Sequence, residues 1–251
     1  MSGHSHWATI KRAKAANDAR RGKNWSKLAK MIIVAAKHGG GSPDENLPLR
    51  YAIDKARAAN MPSDTIHNAI KKGTGELQAE AYEHVTYEGY GPGGVAFLVD
   101  CLTDNRHRTA PEMRKLFERG GGTLGSTNCV AWMFEKQGTF VIESAKADED
   151  TLMEIALESG AEDVKPDGAF FQVTSDVASF SAVKAALAAK NIETVSGELA
   201  MMPKNSVSVT GDQARKVMNL MEALEEHDDV QNVYANFDVP EEIMAELQQK
   251  S

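Results

Sequence analysis

The chain has 251 residues, of which 42% are hydrophobic and 25% charged, a balance that supports packed cores and excludes a disordered tail, a collagen or a low-complexity array. Its net charge of −8 hides an asymmetry: residues 1–75 hold 14 Lys/Arg against 5 Asp/Glu, a surplus of +9, whereas residues 76–251 hold 14 against 31, or −17. No run approaches the roughly 18 apolar residues of a membrane span, and the chain starts with polar and charged residues instead of an apolar leader, so the cytosol is the expected compartment and no membrane partner is expected.

The first third predicts helices. Within the first 30 residues Lys11, Arg12, Lys14, Arg20, Arg21, Lys23, Lys27 and Lys30 face a single acid, Asp18. That density favours a polyanion through counterion release, against the plain alternative of a solvated basic tail. Trp25, Leu28, Ile32 and Ala35 recur at helical spacing, and Gly39-Gly40-Gly41 stops that helix. A second helix begins near Pro48 after the cap candidate Asn46 and buries Leu49, Ala52, Ile53 and Ala56. A third opens at Ser63, buries Ile66, Ala69 and Ile70, and is expected to stop at Gly73. Three short helices make a small bundle.

From about residue 80 the period changes to that of strands. Val85 and Tyr87 alternate with polar partners, and Tyr90-Gly91-Pro92-Gly93-Gly94 turns the chain into an apolar strand over Val95 to Leu102. The glycines there lack the Lys-Ser/Thr of a phosphate loop and precede a strand, so a hairpin turn accounts for them. Thr109 and Glu112 form a capping-box pattern ahead of Met113, Leu116 and Phe117, with Gly120-Gly121-Gly122 as the stop, and a strand is expected over Val130 to Phe134. Cys101 and Cys129 sit in unlike settings without a CxxC or Cys/His cluster, so neither a disulfide framework nor a structural zinc site is supported.

Residues 138–203 then give strand, helix, strand, strand, helix, strand, the βαββαβ order of a ferredoxin-like split βαβ unit. After it come a strand at Ser206 to Thr210, a helix opened by Asp212, and a strand with Val233, Ala235 and Phe237. The fold class is therefore α+β and multidomain: a basic helical domain over 1–78, a discontinuous α/β domain over 79–137 and 204–251, and an inserted ferredoxin-like domain over 138–203. A short helix from Pro240 through Leu247 is expected to close the chain.

Catalytic chemistry finds little support. The seven histidines show no metalloprotease spacing and no nucleophile elbow, so no catalytic residue, metal or cofactor is expected. The acidic run Glu225-Glu226-His227-Asp228-Asp229 lacks the alternation and glycine of a calcium loop and is expected to be a solvated turn. Removal of Met1 would expose Ser2-Gly3-His4, whose amine, amides and imidazole can chelate Cu(II) or Ni(II) adventitiously. More suggestive is Thr103 to Thr109, which sets Arg106, His107 and Arg108 at a helix start suited to phosphate or carboxylate, though the arginines can equally pair with neighbouring acids. Trp25 lies on a buried stripe, whereas Trp7, outside any stripe, is a candidate to stack on an unpaired base. No helix has the composition of a clear major-groove recognition helix.

Several motifs together resemble the YebC family: Gly3-His4-Ser5-His6-Trp7, the basic run through Arg21-Gly22-Lys23, Ala35 to Gly41, Leu49-Arg50, Asn60-Met61-Pro62, Tyr87 to Gly94, and Leu102 to Arg106. That family includes the mitochondrial translational activator of a cytochrome oxidase subunit. The resemblance covers essentially the whole chain. It implies a three-domain fold and a non-enzymatic cytosolic role in gene expression, described both as DNA-binding transcriptional regulation and as ribosome-associated translation at difficult sequences such as proline runs. The partners implied are DNA, ribosomal or transfer RNA, or the ribosome, with no small-molecule substrate. The chain departs from the family pattern at His6, usually Lys, at Ser42, commonly Asp, and at Asn128-Cys129, usually Gly-Ser. A histidine at position 6 replaces a fixed charge by one that titrates near neutrality. Ferredoxin-like units also serve as regulatory modules for small ligands, a more remote alternative for residues 138–203.

Overall fold

The computed structural model describes residues 21–78 and 80–239. Trp7, Lys11, Arg12, Lys14 and Arg20, the Ser2-Gly3-His4 terminus and the helix expected from Pro240 lie outside the described residues, and Arg21 and Lys23 are placed only as backbone of the first helix.

Three helices, α1 (Arg21–Gly39), α2 (Leu47–Ala58) and α3 (Ser63–Thr74), pack through the stripes that the sequence marks. Leu28, Ile32, Leu49, Ile53, Ile66 and Ala69 share one buried cluster. Asn46 ties the first two helices together: its Oδ1 accepts from Leu49 N at 3.1 Å, while its amide donates to Ala35 O and Gly40 O, each at 2.8 Å. One buried side chain thus caps the start of α2 and satisfies carbonyls at the end of α1. The third helix does not stop at Gly73 but runs on to a left-handed Gly75 with φ 85°. Gly73 lies inside α3 because α1 crosses it closely; a Cβ there would sit 2.5 Å from Ile33 O. The sequence offers two glycines, and the helix ends at the one whose φ needs it.

Two antiparallel sheets follow. The first has the order β3-β1-β2-β9, built from β1 (Glu83–Tyr90), β2 (Ala96–Thr103), β3 (Thr123–Leu124) and β9 (Val230–Ala235). The β1–β2 hairpin pairs Glu83 with Thr103 through to Tyr90 with Ala96. Helices α4 (Arg106–Arg119) and α7 (Gly211–Glu225) cover one face, burying Phe97, Met113, Phe117, Val217, Leu220 and Leu224. The second sheet has the order β5-β6-β4-β7, from β4 (Phe134–Glu143), β5 (Ala161–Asp167), β6 (Phe170–Ser175) and β7 (Ser196–Pro203). With α5 (Glu149–Ser159) and α6 (Phe180–Ala189) this is the ferredoxin-like arrangement, the first and third strands of the unit lying side by side at the centre. The chain leaves the first sheet after β3, completes the second, and returns through β8 (Val207–Ser208) to β9 and β10 (Phe237–Asp238), the last pairing in parallel with β8. The fold is α+β, helices first and two sheet layers after.

Three local expectations are corrected. The separate strand expected at Val130 to Phe134 is a 3-10 turn over Ala131–Met133, and Phe134 instead begins β4, which pairs with β7 from Phe134 to Val141. An apolar run cannot by itself distinguish a strand from a short helical turn. The last strand of the unit begins at Ser196, not at Ile192. Thr109 does not cap α4. Asn105 does, its Oδ1 accepting from His107 N and Arg108 N, so the two arginines belong to the first helical turn.

Helix α2 also reaches the second sheet. The Tyr51 hydroxyl accepts from Leu199 N at 3.2 Å, its ring meets Phe180 edge-on at 6.3 Å, and Lys55 pairs with Glu198 at 2.9 Å.

Candidate nucleic-acid interface

The described part of the basic stretch lies along α1, and the structure brings two of its cations together with the start of α4. Lys30 Nζ donates to Asp229 Oδ1 at 2.8 Å, and Arg108 donates to Asp229 Oδ2 at 2.9 Å. Lys27, one turn earlier, donates to Glu225 O at 2.6 Å, and Lys30 also reaches Asp228 O at 3.2 Å. Arg106 is exposed in the same first turn of α4 that carries Arg108.

Asp229 precedes β9 and its side chain is only 3% exposed. A relay completes its shell: Thr103 Oγ accepts from Asn105 N at 2.9 Å and meets Thr109 Oγ at 2.8 Å, and Thr109 Oγ donates to Asp229 Oδ2 at 2.9 Å. Burial alone would raise the Asp229 pKa, but hydrogen bonds from Lys30, Arg108 and Thr109 outweigh it and hold the carboxyl well below the usual range. The hydrogen bonds that Arg108 donates to Asp229 and, second, to Asp104 push its guanidinium pKa up. The anion expected at the start of α4 is therefore the chain's own Asp229 carboxylate. In this structure Lys27, Lys30 and Arg108 are engaged by protein.

The contrast with the expected solvated turn over 225–229 is sharp for Asp229 and His227. His227 Nδ1 accepts from Asp229 N at 3.2 Å, which places the ring proton on Nε2, 3.0 Å from Glu112. Glu112, His227 and Asp229 bring ligand atoms within 4.8 Å of one another, a spacing compatible with a divalent ion. Asp229 is already neutralised by two cations and the Nε2 lone pair is replaced by a proton, so the donor set does not suit one. A cleft of about 500 Å³ opens here, rimmed by Lys30, Tyr82, Asp104, Glu112, Glu226 and Asp228. Its acids outnumber its bases, so the cleft itself is not built for phosphate.

Because the folded Asp229 pKa lies below its unfolded value near 3.9, its contribution is complete above that pH and is lost as pH falls through it toward the folded value. Asp229→Asn is expected to cost about 2 kcal/mol at neutral pH. The gap between wild type and variant should close as pH drops below about 4. Urea midpoints measured from pH 7 to pH 3 check this; a gap that stays constant would remove Asp229 from the pH dependence.

Of the remaining expectations, Trp25 is half-buried in the bundle and donates Nε1 to Ala59 O at 2.9 Å, so it is not a stacking platform. Cys101 is buried and its thiol is pushed up to about 12 by that burial, which leaves it unreactive. Glu88 went unnoticed in sequence: buried on the face of the first sheet opposite α4, it accepts from the backbone N–H groups of Asn128, Val130 and Ala131 at 2.6, 2.8 and 2.7 Å. A single Glu in a strand gives no signal of that role.

Comparison with known proteins agrees along the whole chain. The model for the "TACO1/YebC protein N-terminal domain" matches residues 5–76, and that for the "TACO1/YebC second and third domain" matches residues 82–237. A Dictyoglomus turgidum relative named "Probable transcriptional regulatory protein" is 54% identical over 98% of this chain and 100% of its own. A Desulfotalea psychrophila protein of the same description is 52% identical over 98% of this chain and 99% of its own. The crystal structure of a conserved hypothetical protein from Aquifex aeolicus superposes with a TM-score of 0.82 at 44% identity, covering 90% of this chain and 94% of that one. Helical start, paired sheets and end-to-end similarity agree, and the chain belongs to the TACO1/YebC family.

Proposed function

We propose that this chain is a cytosolic regulator of gene expression that acts by binding nucleic acid and not by catalysis. The observation that carries the reading is the segregation of charge, +9 over residues 1–75 against −17 over the rest. Such a chain presents one end to phosphate and repels it elsewhere. Lys27, Lys30 and Arg108 are engaged by protein, so first contact falls to Lys11, Arg12, Lys14, Arg20, Arg21 and Lys23, with Trp7 to stack on a base and Arg106 as an outlying cation. The relatives' names as transcriptional regulators favour DNA.

A second reading, a translation factor on ribosomal or transfer RNA, draws on the same −17. An acidic body disfavours wrapping by a long duplex and suits a basic arm anchored within an RNA-rich assembly. We read the domains as 1–78, 79–137 with 204–251, and 138–203. Three of the four buried clusters, centred on Ile32, Phe97 and Phe140, support that division, and the fourth, with Leu98 and Phe134, lies where the two sheets meet. The deciding experiment is ultraviolet crosslinking in cells with parallel recovery of DNA and RNA. Crosslinks at discrete promoters establish the transcriptional reading, crosslinks at ribosomal or transfer RNA the translational one, and recovery at background for both removes nucleic-acid binding.

A further inference from the structure

We infer that Asp229 is an internal stand-in for a nucleic-acid phosphate, so that the end of α7 and the turn after it, residues 225–229, hold the basic helix α1 in a self-inhibited state that polyanion binding must displace. The inference rests on the nucleic-acid reading above and adds a regulatory contact to it.

Four observations carry it. First, the Asp229 carboxylate is met by one lysine, one arginine and one hydroxyl at 2.8 to 2.9 Å. Lys and Arg charges with a hydroxyl are the donors that phosphate oxygens attract at a protein surface. Second, the contact joins elements far apart in sequence: Lys30 and Asp229 are separated by 199 residues, and Lys27 and Glu225 by 198. The turn therefore fixes how the helical bundle sits on the first sheet. Third, Lys27 and Lys30 continue the basic run that begins before α1, so a phosphate chain bound along that run meets the Asp229 contact as it advances. Fourth, the replacement is nearly balanced chemically. Lys30 and Arg108 exchange one oxyanion for another, and the released carboxylate gains water at the edge of the adjoining cleft. Glu226 and Asp228, exposed at the same turn, repel phosphate until the turn moves away.

The test uses the full-length protein with two probes, a mixed-sequence single-stranded RNA of about 24 nucleotides and a DNA duplex of the same length, titrated from about 50 to 300 mM salt. Asp229→Asn removes the internal competitor while keeping the shape of the side chain. It is expected to tighten binding by about tenfold and to steepen the log–log salt slope by about 1 to 2, one unit for each cation released to phosphate. Hydrogen exchange on the wild-type protein supplies the second measurement and needs no variant to fold. Saturation with the bound probe should raise exchange in the segment 225–230 while α1 becomes more protected. Equal affinity and slope for the variant, with exchange at 225–230 unchanged by the probe, would overturn the inference while leaving nucleic-acid binding intact. Binding of neither probe by the wild type would overturn the reading beneath it as well.

Discussion

Glu88→Ala is expected to lower stability by about 3 to 5 kcal/mol and to free the segment 125–133 for proteolysis. The wild-type carboxylate lies on β1, is 4% exposed, and receives three backbone N–H groups from one loop. Hydrogen bonds to an ionised group are worth about 1.5 to 3 kcal/mol each, and an orphaned buried donor costs about 1 to 3. Water entering the vacated space recovers part of that loss, which sets the estimate below the simple sum. Glu88→Gln keeps the shape but turns an NH2 toward an N–H donor, so a smaller loss of about 1 to 3 kcal/mol is expected. Denaturant midpoints and limited proteolysis give both values. Equal midpoints for wild type and Glu88→Ala would mean that the loop is held by its apolar contacts alone. Those contacts are real: Val130 and Phe134 pack with Ala96 and Leu98, and Met201 and Tyr234 border the same cluster. The loop that Glu88 grips therefore lies where the two sheets meet. Its Trp132 remains 63% exposed, with Nε1 donating to Cys129 O at 3.2 Å.

What the sequence makes legible here is what local periodicity and caps control. The bundle stripes, the hairpin turn at Gly91 to Gly94 and the βαββαβ order follow from spacing, because each element buries a face defined within a dozen residues. The misread boundaries are competitions between equally good local signals. Asn105 and Thr109 are both cap residues; Thr109 is drawn inward to Asp229 and Thr103, which leaves Asn105 to cap. Gly73 and Gly75 are both stops, and the crossing of α1 decides between them. The candidate site is harder to see, because its contacts close over about 120 to 200 residues. In sequence, Asp229 is one acid among four in a five-residue run. Its burial follows from standing just before Val230, the first buried residue of β9. The charge asymmetry was fully legible, but which cations are already engaged was not.

The largest effect on binding is expected from the cations that precede α1. Replacing Lys11, Arg12 and Lys14 together by Gln should weaken binding to DNA or RNA by about 10² to 10³-fold near 0.1 M salt. It should also flatten the salt slope by about 2 to 3. Each phosphate neutralised contributes about 0.7 to 0.9 to that slope, so at 0.1 M, one decade below 1 M, each contact supplies nearly tenfold in affinity. The three residues lie ahead of the buried stripe that starts at Trp25, so the unfolding midpoint should not move. Unchanged slopes would remove these side chains from the interface and shift the contact to Arg21, Lys23 and Arg106. The sign of the effect also separates two roles for charge in one molecule. Removing the basic residues must flatten the slope, whereas removing Asp229 must steepen it, because the first set meets phosphate and the second competes with it. If both changes weakened binding, Asp229 would be orienting α1 for the polyanion, and its carboxylate would be part of the interface scaffold.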